Sequence, residues 1–365
     1  MLLNKIYVKK NKILLLVSLI LFAFSALIYA VCSFSQRFAD IYSFFISTRI
    51  RSITSFLTGW FEFSLFEWML YLAPLVFAVI LILVVIKKIR IKSVLCFLCL
   101  IASFCLFLFV NSFGVCYFCS PLEERLEIDR KSIDRKELYN SSITVLEKLE
   151  SSLEQVIFKK DGSSHMTDDW KTVCKKIDKG FDELRAEYPF ISESNSVAKR
   201  ITASELVTYT HISGMFMPLT GEANVNTNYP DYVVAFSVAH EKAHQRGIAG
   251  EDEANFVAFL ALINSGDSYL EYCGYLSMYD YFLDSMYEFD LEMYRHMIEK
   301  CDKRILGEMY AYSVFFDKYR NSKASNVADT VNDTYIKAMG ESDGVKSYGK
   351  VVELYCAYIK EKSLP

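Results

Sequence analysis

Val238-Ala239-His240-Glu241-Lys242-Ala243-His244-Gln245-Arg246-Gly247, running into Glu251-Asp252-Glu253-Ala254-Asn255, is the stretch on which the reading of this chain turns. His240 and His244 are four positions apart, which on an α-helix puts two imidazoles on one face, one turn from each other. Glu241 is rotated from His240 by about 100° and reaches the same space from the side. Two imidazoles so placed can share one zinc ion, and the acid between them can take a proton from water held at a remaining position. The pattern predicts a helix over residues 232–246 with zinc-dependent hydrolytic chemistry on one of its faces.

The flanks fit. Asn228 and Pro230 suit a helix start. Gly247 and Gly250 bracket a turn, and a second helix is expected to begin at Glu251. A zinc site of this type needs a third protein ligand. Apart from the motif pair there are only His165, His211 and His296, and the sixth position after His244 is Gly250, so no third histidine follows at that spacing. A carboxylate is expected instead, and Glu251 and Glu253 are both close enough in sequence. A Glu-Asp-Glu run is also what an ordinary helix start looks like. Lys242 puts a charge beside Glu241, a departure from the general zincin pattern that is harmless where the side chain faces solvent.

Working outward, the first third of the 365 residues is strongly apolar. Runs at about 13–32, 66–86 and 93–113 are each long enough to span a bilayer. Residues 36–65 between them mix arginines with aromatics and read as a segment lying at the membrane interface. Residues 1–12 and 87–92 are basic and are separated by two spans. Positive loops stay in the cytoplasm, so everything after residue 115 is expected outside it. That places the protein in the cytoplasmic membrane with residues 116–365 as an extracytoplasmic domain. The length of the first run, with no small-residue cleavage site behind it, argues against a removed signal peptide.

Beyond the membrane the texture is helical: apolar spacing over residues 122–156, then 170–188, then aromatic-rich patterns from 268 onward. Residues 211–226 differ, alternating turn, small and apolar residues, and read as a loop or irregular edge strand that substrate could line. Glu222 and Asn224 are its candidate substrate-facing residues. The expected fold is mainly α, with N-terminal transmembrane helices followed by a zincin-like metallopeptidase domain that has room for a small β edge. A net charge of -4 without a basic stripe gives no basis for a nucleic-acid partner. No phosphate-binding glycine loop, dinucleotide fingerprint or serine elbow is present. Cys116 and Cys119 form a C-x-x-C pair without the second pair that a four-cysteine zinc site needs, and read as a disulfide or two thiols.

Glu251-x-x-Ala254-Asn255 resembles the E-x-x-A-D segment of membrane zinc peptidases of the CAAX-processing and heat-shock HtpX types, with Asn255 where those have Asp. The resemblance implies that Glu251 is a metal ligand and Asn255 a partner of a zinc histidine. The chain more closely resembles an uncharacterised family of bacterial membrane proteins, a domain of unknown function with zinc-peptidase-like character. Five features carry that likeness: the hydrophobic spans at the N-terminus; Pro218-x-Thr220-Gly221-Glu222-Ala223-Asn224-Val225-Asn226; the motif with its acidic sequel; Asn332-Asp333-x-Tyr335-x-Lys337-Ala338; and Gly344-Val345-x-Ser347-Tyr348-Gly349. It implies a bacterial membrane protein of metallopeptidase-like fold.

The expected mechanism has His240, His244 and Glu251 holding Zn²⁺ and Glu241 acting as general base on a peptide or protein substrate, or on a cell-envelope amide. Tyr335, Tyr348 and His211 are the candidate oxyanion donors. The alternative is a zincin-like module that has lost catalysis and serves binding or assembly in the membrane.

Overall fold

The computed structural model describes residues 2–194, 196–338 and 348–362. The chain falls into two compact units, Met1–Cys119 with Met217–Glu222, and Ser120–Phe216 with Ala223–Pro365.

In the first unit, α1 (Leu2–Phe34) leads through α2 (Gln36–Tyr42) and a π-helical turn (Ser43–Ser47) into α3 (Thr48–Gly59). Helices α4 (Leu65–Val85) and α5 (Ile91–Ser112) follow. Tyr7–Phe34, Leu65–Val85 and Ile91–Ser112 are long and apolar enough to cross a membrane, which marks an integral membrane protein. Helices α1 and α5 run side by side in the same direction. Phe24 meets Phe107 and Tyr29 meets Phe118, at ring-centroid distances of 5.9 and 4.9 Å. At the other end the Arg90 guanidinium lies 4.7 Å over the Tyr7 ring. The basic N-terminal segment and the basic turn before α5 are therefore at one end of this unit.

The opposite end is tied by polar contacts at helix termini. Buried Arg51 donates to the carbonyl of Ser112, the last residue of α5, at 2.5 Å, where the helix dipole favours a cation. The Glu222 carboxylate accepts from the first two backbone N–H groups of α4, Leu65 at 2.9 Å and Phe66 at 3.0 Å. These donors have no partner within their own helix. Glu222 therefore caps a spanning helix.

In the second unit, α6 (Leu122–Leu126), α7 (Arg135–Ser152) and α8 (Trp170–Glu187) precede β1 (Lys199–Arg200) and α9 (Ser204–Thr208). Then come β2 (Gly214–Met217), β3 (Glu222–Val225), α10 (Asp231–Gln245) and α11 (Glu251–Ile263). Five helices complete it: α12 (Ser268–Phe289), α13 (Leu291–Lys300), α14 (Lys303–Asp317), α15 (Lys323–Ala338) and α16 (Tyr348–Glu361). The protein is thus mainly α-helical with a small three-stranded sheet, in the order β1-β3-β2. Strand β1 pairs in parallel with β3, Lys199 opposite Asn224 and Arg200 opposite Val225. Within the stretch read as a loop or irregular edge strand, β2 is an edge strand of this sheet, while β3 is its central strand and is buried along its length. Asn224 is 1% exposed and donates to the Met215 carbonyl. That bond ties β3 to β2.

Helix α11 is the centre of this unit. From Phe256 to Ile263 every residue is buried, an all-round apolar helix that must be enclosed. Helices α8, α10, α12 and α16 pack around it. Phe259 sits between Tyr275 and Tyr355 at 5.4 and 5.6 Å. Helix α8 crosses α11 at Gly180, where a Cβ would lie 1.9 Å from the Ala261 carbonyl oxygen. Only glycine permits that approach.

Candidate metal centre

The motif helix α10 ends at a tight turn in which Gly247 adopts φ +97°, a left-handed conformation that costs glycine little. The chain reverses and α11 starts at Glu251. This brings His240, His244 and Glu251 together, with one ligating atom from each within 4.8 Å of the others. Glu251 Oε2 lies 3.2 Å from His240 Nε2 and 3.7 Å from His244 Nε2. Donors about 2.0–2.1 Å from a tetrahedral zinc ion stand about 3.3 Å apart, so these separations fit such an ion.

The other ring nitrogens are tied off. His240 Nδ1 donates to Asn255 Oδ1 at 2.7 Å, and His244 Nδ1 donates to the Ile248 carbonyl at 2.7 Å. Both bonds leave Nε2 as the ligating atom of a neutral imidazole. The side chains of His244, His240 and Glu251 are 8, 15 and 32% exposed, so solvent reaches the cluster from the Glu251 side.

Charge balances within the cluster. Burial works against a charged His244, yet the Glu251 carboxylate beside it prevails and raises its pKa to about 9. Burial likewise works against a charged Glu251, and the two imidazoles hold it well below the ordinary carboxylate range. Glu241 is 5% exposed and its carboxyl is pushed upward by burial, against the pull of both histidines. The Glu241 side chain lies directly on Gly214 of β2, where a Cβ would come within 2.6 Å of its Oε1, and it accepts from the Phe216 N–H. The hairpin strand therefore walls one side of the motif helix.

Glu253 and His211 have partners of their own. Glu253 accepts from Leu122 N at 2.6 Å and Arg125 at 2.7 Å, fastening α11 to α6. His211, at φ +60°, has Nε2 2.9 Å from the Tyr319 carbonyl and its ring against Phe316. The side chains of Tyr335 and Tyr348 lie outside the described residues. Lys242 does not face solvent. It is fully buried, with Nζ 2.8 Å from Asp178 and 2.9 Å from the Ser196 carbonyl. Arg246 joins it, donating to the same Asp178 oxygen at 2.6 Å with its guanidinium stacked 4.2 Å over Phe181. A lysine at a motif spacer position gives no sequence signal for burial, because its partner lies 64 residues away. All ten cysteines are free thiols, Cys116 and Cys119 included.

Fold and site together define an integral membrane protein, mainly α-helical, with a His/His/Glu cluster able to take a metal ion. The model of the family described as "Protein of unknown function (DUF3810)" matches residues 42–356, and the chain belongs to that family. The matched region contains the whole cluster. No curated protein and no solved structure matches the chain.

Proposed function

We propose that this protein is a membrane-anchored zinc-binding protein whose His240, His244 and Glu251 hold one divalent ion. The observation that carries this is the convergence of three ligating atoms within 4.8 Å, with both Nδ1 atoms already bonded away from the centre. Two imidazoles and a carboxylate suit zinc over magnesium or calcium, which prefer all-oxygen sites. Metal analysis of the intact chain in detergent tests it. One zinc per chain is expected, lost in His240→Ala and in Glu251→Gln. Equal zinc content in all three would refute it.

A second reading, hydrolysis of a peptide or cell-envelope amide, is favoured by Glu241. When bound, zinc supplies a Lewis acid for a carbonyl oxygen and acidifies water. Glu241 stands on the same helix as both imidazoles, with its carboxyl raised by burial in the direction a general base at neutral pH needs. Its role would be to hold and pass on the proton of the attacking water. Glu241→Gln separates the two readings: zinc is retained in both, and cleavage of an amide substrate is lost only if the site is hydrolytic.

The basic end of the membrane unit supports an extracytoplasmic placement of the residues that follow it. Placed in the cytoplasm by the positive-inside preference, it puts the residues after α5 on the far side of the membrane.

A further inference from the structure

We propose that residues 36–60 form an in-plane membrane element whose outer face is covered by lipid at the boundary between headgroups and acyl chains. The proposal is independent of the metal site. In water a surface helix buries its apolar stripe and solvates its polar one. Here the order is reversed. The buried residues of α2, the π-helical turn and α3 are Ala39, Ser47, Arg51, Ser55 and Thr58. Phe45, Ile53, Phe56, Leu57 and Trp60 are all more than half exposed, Trp60 at 76%.

The inward polar groups are used within the unit. Arg51 donates to the Ser112 carbonyl and to Cys116 Sγ, and Thr58 Oγ1 donates to the Thr220 carbonyl at 3.0 Å. A face with its polar side on protein and its aromatics outward has apolar surroundings.

Continuity with the spans says what those surroundings are. Phe56 packs edge-on against Trp60. Phe61, Phe63, Trp68 and Tyr71 then continue ring to ring into α4. Helix α4 itself buries only Glu67 among its 21 residues, so its surroundings are the bilayer. Aromatic rings concentrate at the level of the headgroups. Arg49, exposed among these apolar residues, fixes the depth: its guanidinium cannot rest in hydrocarbon but can reach phosphate. The occupant is therefore lipid at the interface, on the end of the membrane unit that carries residues 113–118.

Fluorescence of the intact chain in vesicles of brominated phosphatidylcholine tests this. The Trp60 signal is obtained as the difference between the parent and Trp60→Phe, which leaves Trp68 and Trp170 in place. Bromines near the glycerol end of the acyl chain should lower that signal about twofold, and bromines near the chain terminus should lower it less. Aqueous iodide should leave it unchanged. Quenching by iodide but not by bromine would overturn the proposal in favour of a water-exposed face. Quenching by neither would overturn it in favour of a second copy or another protein. Stronger quenching by the deeper bromines would place the segment in the hydrocarbon and overturn the interfacial placement.

Discussion

Replacing Asn255 by leucine removes the acceptor 2.7 Å from His240 Nδ1 while keeping a side chain of similar size. The amide oxygen holds the imidazole in the tautomer that presents Nε2 to the ion. Without it the ring rotates freely and either nitrogen can carry the proton. Losing such a partner typically costs about 10- to 100-fold in metal affinity, or about 1.4–2.7 kcal/mol. Asn255→Asp tests the same bond from the other direction. A carboxylate makes the imidazole a stronger donor, and about tenfold tighter binding is expected. The assay is competition for zinc against a chromophoric chelator, using the intact chain in detergent at one neutral pH. Thermal unfolding of each ion-free variant shows that it is folded. Asn255 is only half-buried, so both replacements should be accommodated. The reasoning is refuted if folded Asn255→Leu binds zinc as tightly as the parent, or if Asn255→Asp binds more weakly than the parent.

Three further outcomes are expected. In the ion-free protein His244 has a pKa of about 9 against an ordinary 6.5, so its contribution to stability is complete below pH 6.5 and lost as pH rises through 9. Glu251, held below its ordinary 4.5, contributes above that pH and loses its contribution on acidification. The melting temperature with chelator present should therefore fall from pH 6.5 to 9, while the zinc-loaded protein, whose imidazoles are neutral, should not follow; equal slopes would contradict this. Gly180→Ala drives a methyl into the Ala261 carbonyl and should destabilise the second unit by about 3 kcal/mol or more, read by denaturant unfolding; an unchanged midpoint would show that α8 can shift. Glu253→Gln should leave zinc affinity unchanged but cost about 1.5–3 kcal/mol in the same unfolding measurement, because it weakens charged bonds to Leu122 and Arg125; a drop in zinc affinity would return Glu253 to the metal site.

Much of this was legible in advance. The four-residue interval between His240 and His244, the glycines after it and the acidic restart at Glu251 depend on local spacing alone, and the two helices follow from them. The preference for Glu251 over Glu253 comes from the resemblance to the E-x-x-A-D segment, and the helix geometry agrees with it. Glu251 and Asn255 are one turn apart and share a face, whereas Glu253 is rotated by about 200° from Glu251. The spans were equally plain, because bilayer thickness sets a length that composition reveals.

What escaped the sequence depends on distant partners or on backbone. Ile248 serves His244 through its carbonyl, and any residue type could do the same. Lys242 looks like a surface lysine until Asp178 is brought beside it. Glu222 lies in a stretch that reads as substrate-lining, yet its partners are backbone groups of Leu65 and Phe66 some 157 positions earlier.

The enclosure of α11 has a kinetic corollary. A carboxylate on a surface helix can be withdrawn by moving the helix, but the body of α11 has apolar packing on every side and glycine-close contact with α8. Glu251 is the first residue of that immobile rod. An ion entering or leaving this cluster has to be admitted by rotation of the Glu251 side chain about its own bonds, so exchange should be set by a torsional event at one residue and not by breathing of the domain.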